Sequence, residues 1–247
     1  MDQSCLAERF SRYLQLGESE RQTLVKLEEN ERFLPRGTVL LAEHAPAREI
    51  FVVRRGWVYS SMLLSDGNRQ ILSLHLPGEL AGETGLAGDK APFALTAATD
   101  VTVRVIDKLA LRDLFTRQPR IAAMLLLLAQ VERVALADRL ASIGRTSARS
   151  RVAALIVDIL RRLRAAGDAP GNEIPLPLTQ EEIGDATGLT AVHVNRMMRQ
   201  LADEGLIART NGRVRVIDET RLADIANHID RHAALDLSWL PPAPAPR

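Results

Sequence analysis

Residues 178–201, LTQEEIGDATGLTAVHVNRMMRQL, and residues 203–218, DEGLIARTNGRVRVID, constrain this chain more than any other stretch of it. Thr179 with Glu182 three residues on is a capping box. It opens a first helix that can bury Ile183 and Ala186. Gly188 supplies the permissive backbone of a corner. Thr190 then caps a second helix in which Val194, Met197 and Leu201 fall at i, i+3 and i+7, one apolar stripe facing a core. The other side of that helix carries Val192, His193, Arg196, Arg199 and Gln200. Asn211-Gly212 demands a type I′ turn, and Arg213-Val214-Arg215-Val216 alternates as its return strand. Helix, corner, helix and hairpin in this order spell a winged helix-turn-helix, whose short second helix has the dimensions to enter a DNA major groove.

Charge adds little to that reading. The formal net charge is +1, and between Gly144 and Ile217 eleven Arg stand against eight Asp plus Glu. An excess of three is as expected of a solvated face as of a nucleic-acid footprint. Lys occurs only at positions 26, 90 and 108, so the Arg bias reads as genomic composition before function. The single cysteine, Cys5, excludes an intrachain disulfide and a cysteine-based metal or iron–sulfur site. The start, MDQSCLAERFSRYLQL, is charged throughout and lacks an apolar signal core; no run approaches a membrane span. The expectation is a cytoplasmic, soluble protein with no membrane partner.

Upstream, residues 2–29 read as two short helices divided near Gly17. From about Phe33 to Val105 the texture is short β-type runs between glycines: Thr38–Leu41, Ile50–Val53, Trp57–Leu63, Gln70–Leu76 and Val101–Ile106, with Ser65-Asp66-Gly67-Asn68 as a hairpin turn. Such spacing predicts an antiparallel barrel or jelly roll. A long helix follows, Pro119–Ile143, whose first half is apolar on nearly every side and must bury more than one face. Met124, Leu128, Val131, Ala135 and Asp138 run close to a heptad seam, so the second partner is read as the same helix of another subunit. Gly144 is expected to end it, with Arg145-Thr146-Ser147 as a hinge. Ser150–Arg164 is amphipathic, Ile174–Leu176 can add a small strand, and Leu222, Ile225, Ala226 and Ile229 form one more helical stripe. The Pro/Ala-rich end reads as a flexible tail.

Three blocks carry a family resemblance: LPGELAGETGL at 76–86, TAATDVTVRVID at 96–107, and LTQEEIGDATGLTAVHVNRMMRQLADEGLI at 178–207. With the order roll, long helix, hinge, winged motif, the chain resembles the Crp–Fnr family of bacterial transcription factors from about residue 10 to 217. The resemblance implies an α+β fold: an N-terminal antiparallel β-roll of the cyclic-nucleotide-binding type with its helices over 1–117, a dimerisation helix over 118–144, a winged helix-turn-helix domain over 145–232 and a tail over 233–247. It implies a homodimer joined through Met124, Leu125, Leu128, Val131 and Ala135. Its partners would be double-stranded DNA with a near-palindromic site and, for an activator, RNA polymerase. The DNA-contacting set would be Thr179, Gln180, Thr190, Ala191, Val192, His193, Asn195, Arg196, Arg199 and Arg213. Arg196 matches the position that reads a guanine edge; Thr179, Thr190 and His193 match positions that touch phosphate. Val192 departs from the family pattern, where many relatives place a Glu that accepts from a cytosine amino group. Valine cannot accept, although it can contact a thymine methyl.

The effector pocket implied by the resemblance centres on Gly82, Glu83 and Thr84. Cyclic-AMP binders follow their Gly-Glu-Leu with an Arg-Ser clamp on the phosphate; here those positions align with Ala91 and Pro92. A buried anion without a cation is poorly compensated, which argues against cyclic AMP. One cysteine cannot build the iron–sulfur centre of the oxygen-sensing branch. Lone His44 and His75 are more simply hydrogen-bonded residues than haem ligands. No cofactor is therefore expected, and neither is an enzyme: a nucleophile elbow, Walker loop, HExxH or paired-carboxylate signature is missing from the sequence. The competing reading is a metabolite-sensing roll whose winged domain contacts protein; Arg196, Arg213 and Arg215 favour DNA, because phosphate-lined surfaces need cations there.

Overall fold

Ser4 opens the described chain by capping the first helix, α1 (Cys5–Ser11), its Oγ accepting from Ala7 N at 2.9 Å. The same hydroxyl donates to the Glu28 carboxylate, which also accepts from Cys5 N at 2.9 Å and Leu6 N at 3.1 Å. One carboxylate thus ties α1 to the end of α2 (Glu18–Leu27). The structure is a computed structural model describing residues 4–167, 171–231 and 235–241. Its residues divide into two units, Met1–Met62 with Ser73–Arg133 and Ala234–Arg247, and Leu63–Leu72 with Val134–Ala233.

After α2 come β1 (Glu31–Leu34), β2 (Val39–Leu41), β3 (Glu49–Arg55), β4 (Val58–Leu63), β5 (Arg69–His75), β6 (Leu80–Ala81), a 3-10 turn (Glu83–Ala87), β7 (Ala94–Ala97), β8 (Val101–Asp107), α3 (Ala110–Arg117) and α4 (Pro119–Arg145). The strands form two antiparallel four-stranded sheets, in the orders β1-β8-β3-β6 and β2-β7-β4-β5. Strand β3 shows why the roll closes. Its side chains alternate between faces, and both faces are buried: Phe51 and Val53 pack into the roll with Val58, Leu95 and Val103, while Ile50 and Val52 pack outward with Phe10, Leu24, Ile121 and Met124 of the helices. Register with β8, Ile50 opposite Ile106, brings the second strand to the same double duty. Of the eight strands, β1, β6 and β7 are not among those the sequence texture picks out. They are two to four residues long, too short for an alternation to register.

Two expectations are corrected in this part of the chain. Most of the stripe read as a dimer seam lies inside the chain's own core: Met124, Leu128 and Val131 are buried in one cluster with Leu6, Phe10 and Leu111, half-buried Leu125 packs on it, and half-buried Ala135 lies outside it. A helix laid on a roll buries that face whether or not a second subunit exists. The end of the chain, expected to be flexible from residue 233, packs half-buried Leu235, Leu237 and Leu240 on the same cluster. Prolines lower the helical prospects of a segment without lowering the free energy its leucines gain from burial. Residues 242–247 lie outside the described ones.

The second unit is built on α5 (Ala148–Ala166), which buries Val152, Ile156, Ile159, Leu160 and Leu163. Around it lie β9 (Glu173–Pro175), α6 (Gln180–Thr187), α7 (Ala191–Asp203), β10 (Ile207–Thr210), β11 (Arg213–Val216) and α8 (Glu219–Ala226). The three strands pair antiparallel in the order β10-β11-β9. Gly144 does not end α4. The helix runs on to Arg145, Thr146 bonds back to Ser142 O through its amide at 2.9 Å and its hydroxyl at 2.8 Å, and Ser147 caps α5. The link between the two helices is therefore Thr146-Ser147.

Candidate nucleic-acid interface

The winged motif is assembled by backbone constraints first. Thr179 and Glu182 close the predicted capping box, Thr179 Oγ1 accepting from Glu182 N at 3.1 Å and Glu182 Oε2 from Thr179 N at 2.7 Å. Gly188 ends α6 in the left-handed region, φ +65°, where a side chain is strained. Gly184 lies against the corner: a Cβ there would stand 2.4 Å from Leu189 O. Arg151 of α5 holds the C-terminal end of α6, its Nη1 donating to Thr187 O at 2.9 Å. That cation at a helix C-terminus is favourable twice over, as a donor to a free carbonyl and toward the helix dipole. It is separated from α6 by some thirty residues of sequence, and no local pattern announces it.

Thr190 Oγ1 caps α7 by accepting from His193 N at 3.3 Å, and His193 Nδ1 pairs with the same hydroxyl at 3.1 Å. Val194, Met197, Met198 and Leu201 are buried, so the opposite face is forced outward. Ala191, Val192, His193, Asn195, Arg196, Arg199 and Gln200 are all exposed, Val192 the most of the large apolar side chains at 79%. An apolar side chain held that far into solvent at the first turn of an exposed helix gains nothing for the fold.

Beside α7 stands the wing. Asn211 and Gly212 both have positive φ, +44° and +75°, the pair a type I′ turn requires. Val214 and Val216 of β11 are buried while Arg213 and Arg215 point out, as does Arg209 of β10. Arg213 is paired with Glu173 across β9, a partner absent from the sequence-derived picture. Leu178, Gln180, Arg209, Asn211 and Arg213 line a cleft of about 240 Å³ between α6 and the wing, and Gln180 Oε1 is buried there without a partner. Of the ten expected contact residues, Thr179 and Gln180 lie at the start of α6, seven lie on or at the cap of α7, and Arg213 lies on the wing. Arg209 and Asn211 join the cleft although neither was among them. A further element is docked on α6: Arg69 Nε and Nη2 reach Asp185 Oδ2 at 2.7 Å, and Gln70 Nε2 donates to Asp185 O. A separation of 115 residues or more hides this from any local pattern.

The expected effector residues form a different environment. Gly82 has φ +88°, Thr84 is exposed, and Glu83 is partly buried with Oε2 out of solvent and unpartnered. Burial pushes the Glu83 carboxyl above its ordinary range, against the opposing pull of nearby His75. His75 Nδ1 is bound to Leu80 O at 2.7 Å, and its Nε2 is buried without a partner. At the position of the phosphate clamp, Ala91 is buried with both backbone groups spent, its N–H on Ala45 O and its carbonyl on His44 N, each at 2.8 Å. Ala91 itself thus offers an anionic phosphate neither a cation nor a free N–H, unlike the arginine of a phosphate clamp. Among the described residues no three His, Cys, Asp or Glu gather as metal ligands. The Cys5 thiol is pushed up to about 12, by burial and then by Glu28 and Glu8, which makes it a poor thiolate. Among the described residues, no helix is long and apolar enough to cross a membrane.

Comparison with known proteins returns the same two parts. Residues 150–225 match the Crp-like helix-turn-helix domain, and residues 31–118 the cyclic nucleotide-binding domain. The nitrogen fixation regulation protein FixK of Rhizobium meliloti is 32% identical over 188 residues, covering 72% of this chain and 82% of the relative. The fumarate and nitrate reduction regulatory protein of Escherichia coli is 25% identical over 213 residues, 86% of this chain and 85% of that protein. The structure of FixK2 from Bradyrhizobium japonicum superposes with a TM-score of 0.74 at 28% identity, over 81% of this chain and 98% of that one.

Proposed function

This chain belongs to the Crp–Fnr family of regulators, and on that premise we propose that it is a transcriptional regulator that reads DNA sequence as a homodimer. The observation that carries the reading is the outer face of α7. Arg196 and Arg199 are exposed beside Val192 and Asn195, and the cationic wing flanks the same helix. Arg196 offers a bidentate donor pair to guanine, and Val192 an apolar surface to a thymine methyl. Thr179, Gln180, Thr190, His193 and Arg213 would hold the backbone, fixing register without reading sequence.

Dimerisation in this reading runs along the face of α4 that the chain leaves open. Leu126, Ala129, Arg133, Leu136 and Leu140 are exposed and recur at alternating spacings of three and four, a heptad seam. Two recognition helices related by a two-fold axis would then address successive major grooves, and the site would be a near-palindrome. The roll serves as a sensor or as a scaffold without a cyclic nucleotide, the dimerisation helix as its output, and the winged domain as the reader.

Fluorescence anisotropy of the purified chain on DNA from its own upstream region, against a scrambled duplex and over a salt series, tests this. Sequence-selective binding supports the proposal. Equal affinity for both duplexes at every salt concentration counts against it, because phosphate contacts alone are blind to sequence.

A further inference from the structure

Two residues outside the winged motif carry a role that the matched domains do not cover. Arg231 lies beyond the Crp-like helix-turn-helix match, which ends at residue 225. Its guanidinium grips Asp138 of α4 with both oxygens engaged, Nε to Oδ2 at 2.6 Å and Nη2 to Oδ1 at 2.8 Å. The parallel two-bond geometry is the form of ion pair that keeps its strength at a surface. Arg231 holds the Asp138 carboxyl below its ordinary range. We propose that Arg231 and Asp138 are positioning residues for DNA recognition: their clamp fixes the direction in which α5 and the winged motif leave the end of α4.

Covalently, α4 reaches α5 through Thr146-Ser147 alone, and a two-residue link leaves the angle between two helices free to vary. A second attachment removes that freedom. The path to it is rigid: α8 packs along α5, Asn227 ends α8 in the left-handed region at φ +49°, and Arg231 follows four residues later. Arg231 thus follows closely on a packed helix end and loses little entropy in making its bonds. The groups around the clamp come from the same three segments. Half-buried His228 faces Asp158, Arg161, Asp230 and Asp138. Asp158 of α5 is bonded to Arg162 at 2.9 Å and lies near Arg139 of α4. The end of α4, the middle of α5 and the stretch after α8 therefore meet in one charged joint, with Arg231–Asp138 as its bidentate closure.

The proposal rests on the DNA-reading function above, and its consequence is geometric. A fixed angle in each subunit of a dimer fixes the distance between the recognition helices, and hence the spacing of half-sites. The probe is the duplex that the wild-type chain enriches from a random-sequence library, with copies in which the two half-sites are moved apart by one and by two base pairs, and a duplex holding one half-site. Arg231→Gln and Asp138→Asn are expected to shrink the affinity penalty for altered spacing by about fivefold or more, with single half-site affinity within about twofold of wild type. The exchanged pair, Asp138→Arg with Arg231→Asp, is expected to restore the penalty. Single variants that keep the full penalty overturn the proposal. So does a loss of half-site affinity in step with the whole, or an exchange that restores nothing. If the wild-type chain enriches no sequence, the DNA-reading function falls first, and the positioning role with it.

Discussion

Leu189 and Gly184 meet backbone to backbone: the Leu189 amide donates to Gly184 O at 3.0 Å, and a Cβ on Gly184 would stand 2.4 Å from Leu189 O. The corner between the two helices of the winged motif is that contact. Gly184→Ala must move backbone, and a loss of about 1–3 kcal/mol is expected. Gly144 in α4 is the control, because a Cβ there meets nothing within 4 Å. Gly144→Ala should gain up to about 1 kcal/mol from helix propensity. Thermal unfolding of both variants checks the pair; equal effects would mean the corner tolerates a methyl group.

Arg196 stands exposed in the middle of α7's outer face. Arg196→Ala is expected to lose roughly 1–3 kcal/mol per half-site on the selected duplex and far less on a scrambled one. Competition titration at one salt concentration measures the difference. Matching losses on both duplexes would make Arg196 a phosphate contact and remove it from base reading.

Glu173 is paired with Arg213, so in the proposed DNA-reading role it would compete with DNA for that guanidinium. Glu173→Gln frees the guanidinium and removes a negative charge from the wing. Affinity for any duplex should rise, and the slope of log K against log salt should steepen by about 1. An unchanged slope would show that the wing does not reach the backbone.

Leu140 is 74% exposed on α4, whereas Met124 on the same helix is fully buried. Leu140→Glu should dissociate the dimer while leaving the subunit folded, and Met124→Glu should unfold it, because the charge is then buried within one chain. Light scattering reads mass and circular dichroism reads fold. A Leu140→Glu chain of dimer mass would place the subunit interface elsewhere.

Glu83 gives a pH signature. Burial holds its carboxyl above the ordinary 4.5, with His75 pulling the other way. The folded chain therefore keeps a proton that the unfolded chain releases as pH climbs past 4.5, and stability falls through that window up to the folded value. Glu83→Gln has no such titration and leaves no buried carboxylate oxygen unpaired. Its melting temperature should exceed wild type at pH 7, and the advantage should fade as pH is lowered to about 4.5. An advantage that does not change with pH would assign the effect to packing.

Much of the winged motif was legible because its determinants are local. A capping box spans three residues, a type I′ turn needs two, and the stripe of α7 repeats within three turns of helix, so Thr179, Glu182, Asn211 and Gly212 can be read before any tertiary contact is known. The long helix was legible as a helix for the same reason. Which of its faces meets which partner was not. Met124, Leu128 and Leu126 are all apolar, and periodicity alone ranks them equally. The roll then takes Met124 and Leu128 for its own core and leaves Leu126, Leu136 and Leu140 exposed.

What the sequence by itself determined is therefore what neighbouring residues can specify: element type, capping, turn handedness and the polar face of α7. Contacts between residues far apart in the chain were decided by the tertiary structure. The Arg231–Asp138 clamp spans 93 residues, the Arg69–Asp185 pair 116, and the leucines at 235–240 pack back onto helices from the start of the chain. The physical reason is that a charged or apolar side chain has many partners of suitable chemistry in an unfolded chain, and only closure of the intervening loops brings one of them within bonding distance.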